Sequence, residues 1–152
     1  MKEFKTKYSA DDISQYFIFK AETSDREELL SNLKLQKLVY YAQGLYLAMF
    51  NKPLFDEKIE AWPYGPVIPE LYNKFKKYGR KGISANKTFD SSKINRKDME
   101  FLDNIYNMFG QFSGSRLIEI SHSDACWENA WQAGSKEITH ESMKKCLKKY
   151  IE

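Results

Sequence analysis

The chain has 152 residues, of which 42% are hydrophobic, 15% aromatic and 30% charged, a balance that excludes a disordered or fibrous chain and fits one globular domain over 1–152. A formal charge of +3 permits contact with nucleic acid or an acidic protein and requires neither. The longest apolar run, Leu38 to Phe50, is shorter than the about 20 residues a membrane span needs, and Met1 to Lys5 opens on charge without an apolar stretch behind it. No membrane contact and no secretory leader are therefore expected. Two cysteines, Cys126 and Cys146, make no disulfide framework, so free thiols in a cytoplasmic protein are expected.

Ser9-Ala10-Asp11-Asp12 has the form of a capping box, and Ile13, Tyr16, Phe17 and Ala21 recur behind it at helical spacing, with an exit over Glu22 to Arg26. Asn32 is taken as the cap of a second helix, whose stripe of Leu35, Leu38, Ala42, Leu45 and Met49 is widened by Val39, Tyr46 and Phe50. So broad an apolar face predicts burial on several sides, and Asn51 and Pro53 end it. From Leu54 to Tyr64 the period changes to two, predicting a short extended segment, with a turn at Gly65-Pro66. Leu71, Tyr72, Phe75 and Tyr78 then carry a helix that stops at Gly79. Gly82 to Ser92 is a strand or a loop.

Asn95 caps a helix whose apolar face runs through Met99, Leu102, Ile105, Tyr106 and Phe109 to Gly110. Short helices follow at Ser115 to Ser121 and Asp124 to Ala133, each with a serine ahead of it as cap. Thr139 caps the last, with Met143, Leu147, Tyr150 and Ile151 inward and Lys144, Lys145, Lys148 and Lys149 outward. The fold class is mainly α, a compact multi-helix domain with a small β-hairpin or short sheet element.

Two stretches are specified beyond what a helical core needs. Leu33 to Gly44 reads LKLQKLVYYAQG, and Pro53 to Pro69 reads PLFDEKIEAWPYGPVIP, which crowds Trp62, Pro63, Tyr64, Gly65 and Pro66 into one turn. With Asp11 to Ile18 and the block Ser121-His122-Ser123-Asp124-Ala125-Cys126-Trp127, these stretches resemble, over nearly the whole chain, the Panacea (SocA-like) antitoxin domains, among them the phage-associated GepA proteins. Ser121 stands where that family has threonine and Cys126 where it has proline. The resemblance implies a protein that neutralises a toxin encoded by an adjacent gene through direct binding, with no enzymatic activity and no cofactor. In the SocA-type case it implies delivery of the toxin to the ClpXP protease as a further route.

The residues offer other chemistries, and each has a plainer reading. His122, Cys126, His140 and Cys146 are zinc-type ligands, but they lack the tight paired clips of structural sites, so no metal is expected. Cys126 beside His122 lacks an orienting third residue, and Asp56, Glu57 and Glu60 read as solvated charge, so no catalytic residue is assigned. The basic stretch Lys74 to Lys87, interleaved with Phe75 and Tyr78, offers phosphate contact and supports a second reading as a nucleic-acid-binding prophage or transcriptional regulator. Trp62, Tyr64, Tyr72, Lys76, His122 and Trp127 are the candidate partner-binding residues, since Trp, Tyr and Arg dominate interface hot spots and the surface around this turn is aromatic and basic.

Overall fold

Helix α2 (Asn32–Phe50) is apolar on nearly every side, and the other elements are arranged around it. The structure, a computed structural model, describes residues 6–24, 28–86, 88–134 and 136–151. Asp25 and Arg26 of the expected helix exit, and Lys87 of the basic stretch, lie outside them.

Helix α1 (Ala10–Thr23) begins at the Ser9 capping box, in which Ser9 Oγ accepts from Asp12 N and Asp12 Oδ2 accepts from Ser9 N. Helix α2 is capped by Ser31 rather than Asn32: Ser31 Oγ accepts from Lys34 N, and Asn32 is thereby free to turn inward and donate to the Tyr72 carbonyl. Its end is a left-handed Asn51 with φ 57°. Met49, expected in the apolar stripe, is half exposed, whereas Phe50 beside it packs against Tyr46 and Phe101.

The predicted extended segment narrows to β1 (Ile59–Trp62), and the turn falls on Pro63 and Tyr64, one step earlier than expected. Gly65 and Pro66 therefore belong to the return strand β2 (Gly65–Val67). Helix α3 (Pro69–Phe75) starts on its proline and runs into a 3-10 turn at Lys76–Tyr78. Among the described residues Gly82 to Ser92 forms a loop ending in a 3-10 turn at Ser91–Lys93, and Ile83 N anchors it to the Leu30 carbonyl.

Helices α4 (Arg96–Phe109), α5 (Gly114–His122) and α7 (His140–Leu147) start at side-chain caps from Asn95, Ser113 and Thr139. Helix α6 (Ala125–Ala133) does not use the expected serine: its cap position is Asp124, whose side chain makes no capping bond because the core holds it. After α7 a 3-10 turn, Lys148–Tyr150, rotates the chain so that Tyr150 stays half-buried and Ile151 is exposed, against expectation.

A strand the alternation did not reveal, β3 (Glu137–Ile138), joins the hairpin to make an antiparallel sheet of order β2-β1-β3, with Ile59 opposite Ile138 and Trp62 opposite Gly65. Two residues are too few to show a period. The chain is thus mainly α with a short sheet. The expectation of free thiols is overturned: β3 folds α7 back against α6, and Cys126 and Cys146 meet in a disulfide with a Cα–Cα distance of 5.7 Å. Among the described residues no helix is long and apolar enough to cross a membrane.

Candidate functional site

The turn between β1 and β2 is held from three sides by its backbone carbonyls. From α2, Lys37 Nζ donates to the Pro66 carbonyl at 3.1 Å. From α5, His122 Nε2 lies 2.9 Å from the Pro63 carbonyl, which requires the proton on that nitrogen. From α6, Trp127 Nε1 donates to the Trp62 carbonyl at 2.9 Å. A further α2 side chain, Gln36, accepts from Ile68 N and fixes the exit of β2.

Gly65 lies at the centre of this clamp with φ 105°, where a Cβ would come within 2.6 Å of both Lys37 Cε and Ser121 Oγ. Only glycine fits, both for its backbone conformation and for the close approach of α2 and α5. Lys37 is itself fully buried, and desolvation lowers its pKa from 10.5 to about 7. The lysine is thus an amine poised near neutrality beneath the turn.

Above the clamp the rings form two groups, linked by the Trp127 indole bond to the Trp62 carbonyl. Trp62 packs edge-on against Tyr72 at 5.1 Å, and its Nε1 donates to Glu60. His122 stacks on Trp127 at 4.1 Å, and Trp127 stacks on Trp131 at 5.8 Å with the planes within 8°. Both indole N–H groups are satisfied within the protein, one by the Glu60 carboxylate and one by the Trp62 carbonyl. Tyr64 stands at the tip of the turn, 67% exposed, and Trp131 is 41% exposed.

Behind α6 lies a polar hub on the fully buried Asp124. Tyr41 and Tyr150 donate to its two oxygens at 2.9 and 3.0 Å, Tyr40 lies 3.3 Å away, and Lys149 reaches Oδ1 at 3.1 Å. Burial first, and then the adjacent carboxylate, push the tyrosine hydroxyls well above their usual pKa. They remain donors at any ordinary pH. Asp98 forms a second hub, accepting from Tyr8 at 2.7 Å and Tyr46 at 2.9 Å.

Of the candidate partner-binding residues, Trp62, Tyr64, Tyr72, His122 and Trp127 come together on this turn and its supports. Lys76 is exposed one helical turn beyond Tyr72. In the basic stretch, Lys74 is paired with Asp11 at 2.6 Å, whereas Lys76, Lys77, Arg80 and Lys81 are exposed. The carboxylates weighed for acid–base work have structural bonds: Asp56 accepts from Thr6, Glu57 from Ala10 N at the start of α1, and Glu60 from Trp62. Among the described residues no group of three His, Cys, Asp or Glu could hold a metal, and Cys126 and Cys146 are committed to each other.

Sequence reasoning passed over Lys37, Gln36, Gln43 and Asp124, the polar residues that do the holding. Gln43 both donates to the Phe55 carbonyl and accepts from Leu54 N, both at 2.7 Å, so it fixes the approach to β1. The available signal was their position: Gln36, Lys37 and Gln43 interrupt an otherwise apolar helix on its buried sides, where a polar group persists only with a partner.

The comparisons agree with this arrangement of motifs. The chain is 33% identical over 104 residues to the antitoxin SocA of Caulobacter vibrioides (strain NA1000 / CB15N), an alignment covering 62% of this chain and 55% of that protein. It thus spans about half the length of that curated relative. No solved structure matches the chain. Residues 35–128, from α2 through the clamped turn to Trp127, match the family described as antitoxin SocA-like, Panacea domain, and the chain belongs to that family.

Proposed function

We propose that this protein neutralises a toxin by direct protein–protein contact, using the surface of Trp62, Tyr64, Tyr72, His122 and Trp127, with Lys76 at its margin and no catalytic chemistry of its own. The observation that carries the reading is the exposed Tyr64 on a turn whose carbonyls are gripped by three different helices. A large ring on a rigid support loses little freedom on binding, which is how interface anchors gain affinity. The toxin is the product of an adjacent gene, and the encounter takes place in the cytoplasm. Delivery of the bound toxin to a ClpXP-type protease is compatible with this surface, because holding a partner precedes handing it on.

Co-expression with the neighbouring gene product tests the reading: growth is restored and the two chains purify together. Tyr64→Ala then weakens the complex by about 2 kcal/mol or more, roughly thirtyfold, with an unchanged melting temperature. Loss of binding only in step with loss of stability would make the turn scaffold. The exposed Lys76, Lys77, Arg80 and Lys81 favour a second reading, in which the chain binds nucleic acid as a regulator. Binding that falls steeply with salt, with no protein partner, would replace the first reading by this one.

A further inference from the structure

We propose that Cys126 and Cys146 are a reversible thiol–disulfide pair whose oxidation state sets the geometry of the aromatic surface around Trp127. The proposal rests on the toxin-binding reading only for its consequence; the coupling of the pair to the surface stands on contacts within the protein.

Helix α6 carries Trp127 and Trp131 and is poorly fastened by its own chemistry. It has nine residues, and its cap position makes no side-chain bond. A helix this short is marginal alone and depends on tertiary anchors. The disulfide to α7 is one anchor, and it sits one residue before Trp127. The indole bond from Trp127 to the Trp62 carbonyl carries that position directly into the turn below Tyr64.

The pair also touches the buried hub. Tyr40 Oη lies 3.1 Å from Cys126 Sγ and 3.3 Å from Asp124 Oδ2. A disulfide sulfur has no proton, so in the oxidised protein the single Tyr40 proton is shared between sulfur and carboxylate. On reduction Cys126 gains a proton to donate to Tyr40, and Tyr40 is free to donate to Asp124, the residue from which α6 starts. Reduction also removes the covalent tie between the first turn of α6 and α7. Oxidation state is thus expressed both in hydrogen bonding and in how firmly α6 is held.

The chemistry is ordinary thiol–disulfide exchange with a small-molecule disulfide such as oxidised glutathione. Cys146 is partly exposed and Cys126 is buried, so Cys146 is the point of entry. Its thiolate attacks one sulfur of the oxidant, forming a mixed disulfide and expelling a thiolate. Cys126 then gives up its proton and attacks the Cys146 sulfur, expelling the second thiolate. Two protein thiols are oxidised and one small disulfide is reduced to two thiols.

The test uses the full chain, purified oxidised and then treated with dithiothreitol under native conditions, alongside Cys146→Ser. Thiol titration reports the pair, and amide hydrogen exchange reports the turn at Trp62 to Gly65 and helix α6. The expected result is two titratable thiols after reduction, with exchange in both segments at least about tenfold faster. Cys146→Ser should match the reduced chain and ignore the reductant. A pair that resists reduction until the protein unfolds is a structural staple and overturns the proposal; so does a pair that opens with no change in exchange at the turn. Once a toxin is in hand, its affinity is expected to be at least about tenfold weaker for the reduced chain and for Cys146→Ser. Equal affinity for both states overturns the regulatory consequence. Failure of the binding reading looks different: no toxin binds either state, while exchange still responds to the reductant.

Discussion

Replacing Lys37 with methionine is expected to abolish a rise in stability with pH that the buried amine imposes on the wild type. Folding lowers the pKa of Lys37 from 10.5 to about 7. Between those values the unfolded chain carries the extra proton, so the unfolded state binds more protons than the native one and stability increases with pH. The slope for one such group is about 1.4 kcal/mol per pH unit, or about 2–3 kcal/mol between pH 7.5 and 9.5. Methionine fills a similar volume without a charge, but it leaves the Pro66 carbonyl without its donor, a loss of about 1–3 kcal/mol. Methionine also removes the cost of about 4 kcal/mol that the lowered pKa imposes at pH 7, so the variant should be more stable than the wild type near neutrality by about 1–3 kcal/mol, and the slope should vanish. Above pH about 10 stability falls for both proteins. Tyr8, pushed up to about 12 mainly by burial, stays protonated in the fold, as do Tyr16, Tyr40, Tyr41, Tyr46 and Tyr150, while the unfolded chain ionises, so stability present below pH 10 is lost above it. Urea unfolding followed by circular dichroism at half-unit steps from pH 7 to about 11 resolves both limbs. A wild type that is flat from pH 7.5 to 9.5, or a variant that keeps the slope, would refute the placement of Lys37 as an isolated buried amine.

Gly65→Ala should cost about 3 kcal/mol or more, since it adds a left-handed backbone penalty to collisions with Lys37 and Ser121, whereas Gly134→Ala, with φ 75° and open space around it, should cost about 1 kcal/mol; chemical denaturation compares them. Asp124→Ala should destabilise by about 3–5 kcal/mol because it strands three tyrosine hydroxyls and Lys149, and a variant that melts like the wild type would remove the hub from the account. Leu45→Asp should abolish soluble expression, because Leu45 is 1% exposed in the core of α2, while Lys144→Ala should leave the melting temperature unchanged.

The local grammar of the chain was legible without the fold. Ser9, Asn95 and Thr139 act as the caps that their spacing implies, and Leu35, Leu38, Ala42 and Leu45 line a buried helix as their period requires, because capping and amphipathic burial depend on residues within a few positions of one another. The run from Trp62 to Pro66 announced a special turn, although its apex falls on Pro63 and Tyr64. What the sequence could not disclose is how distant residues answer each other. That Lys37, His122 and Trp127 converge on three successive stretches of one turn, that Asp124 gathers Tyr40, Tyr41 and Tyr150, and that Cys126 meets Cys146 are properties of tertiary placement. A hydrogen bond or disulfide needs its two atoms within bonding reach, and between residues scores of positions apart only the packing of α2 against α5, α6 and α7 supplies that proximity.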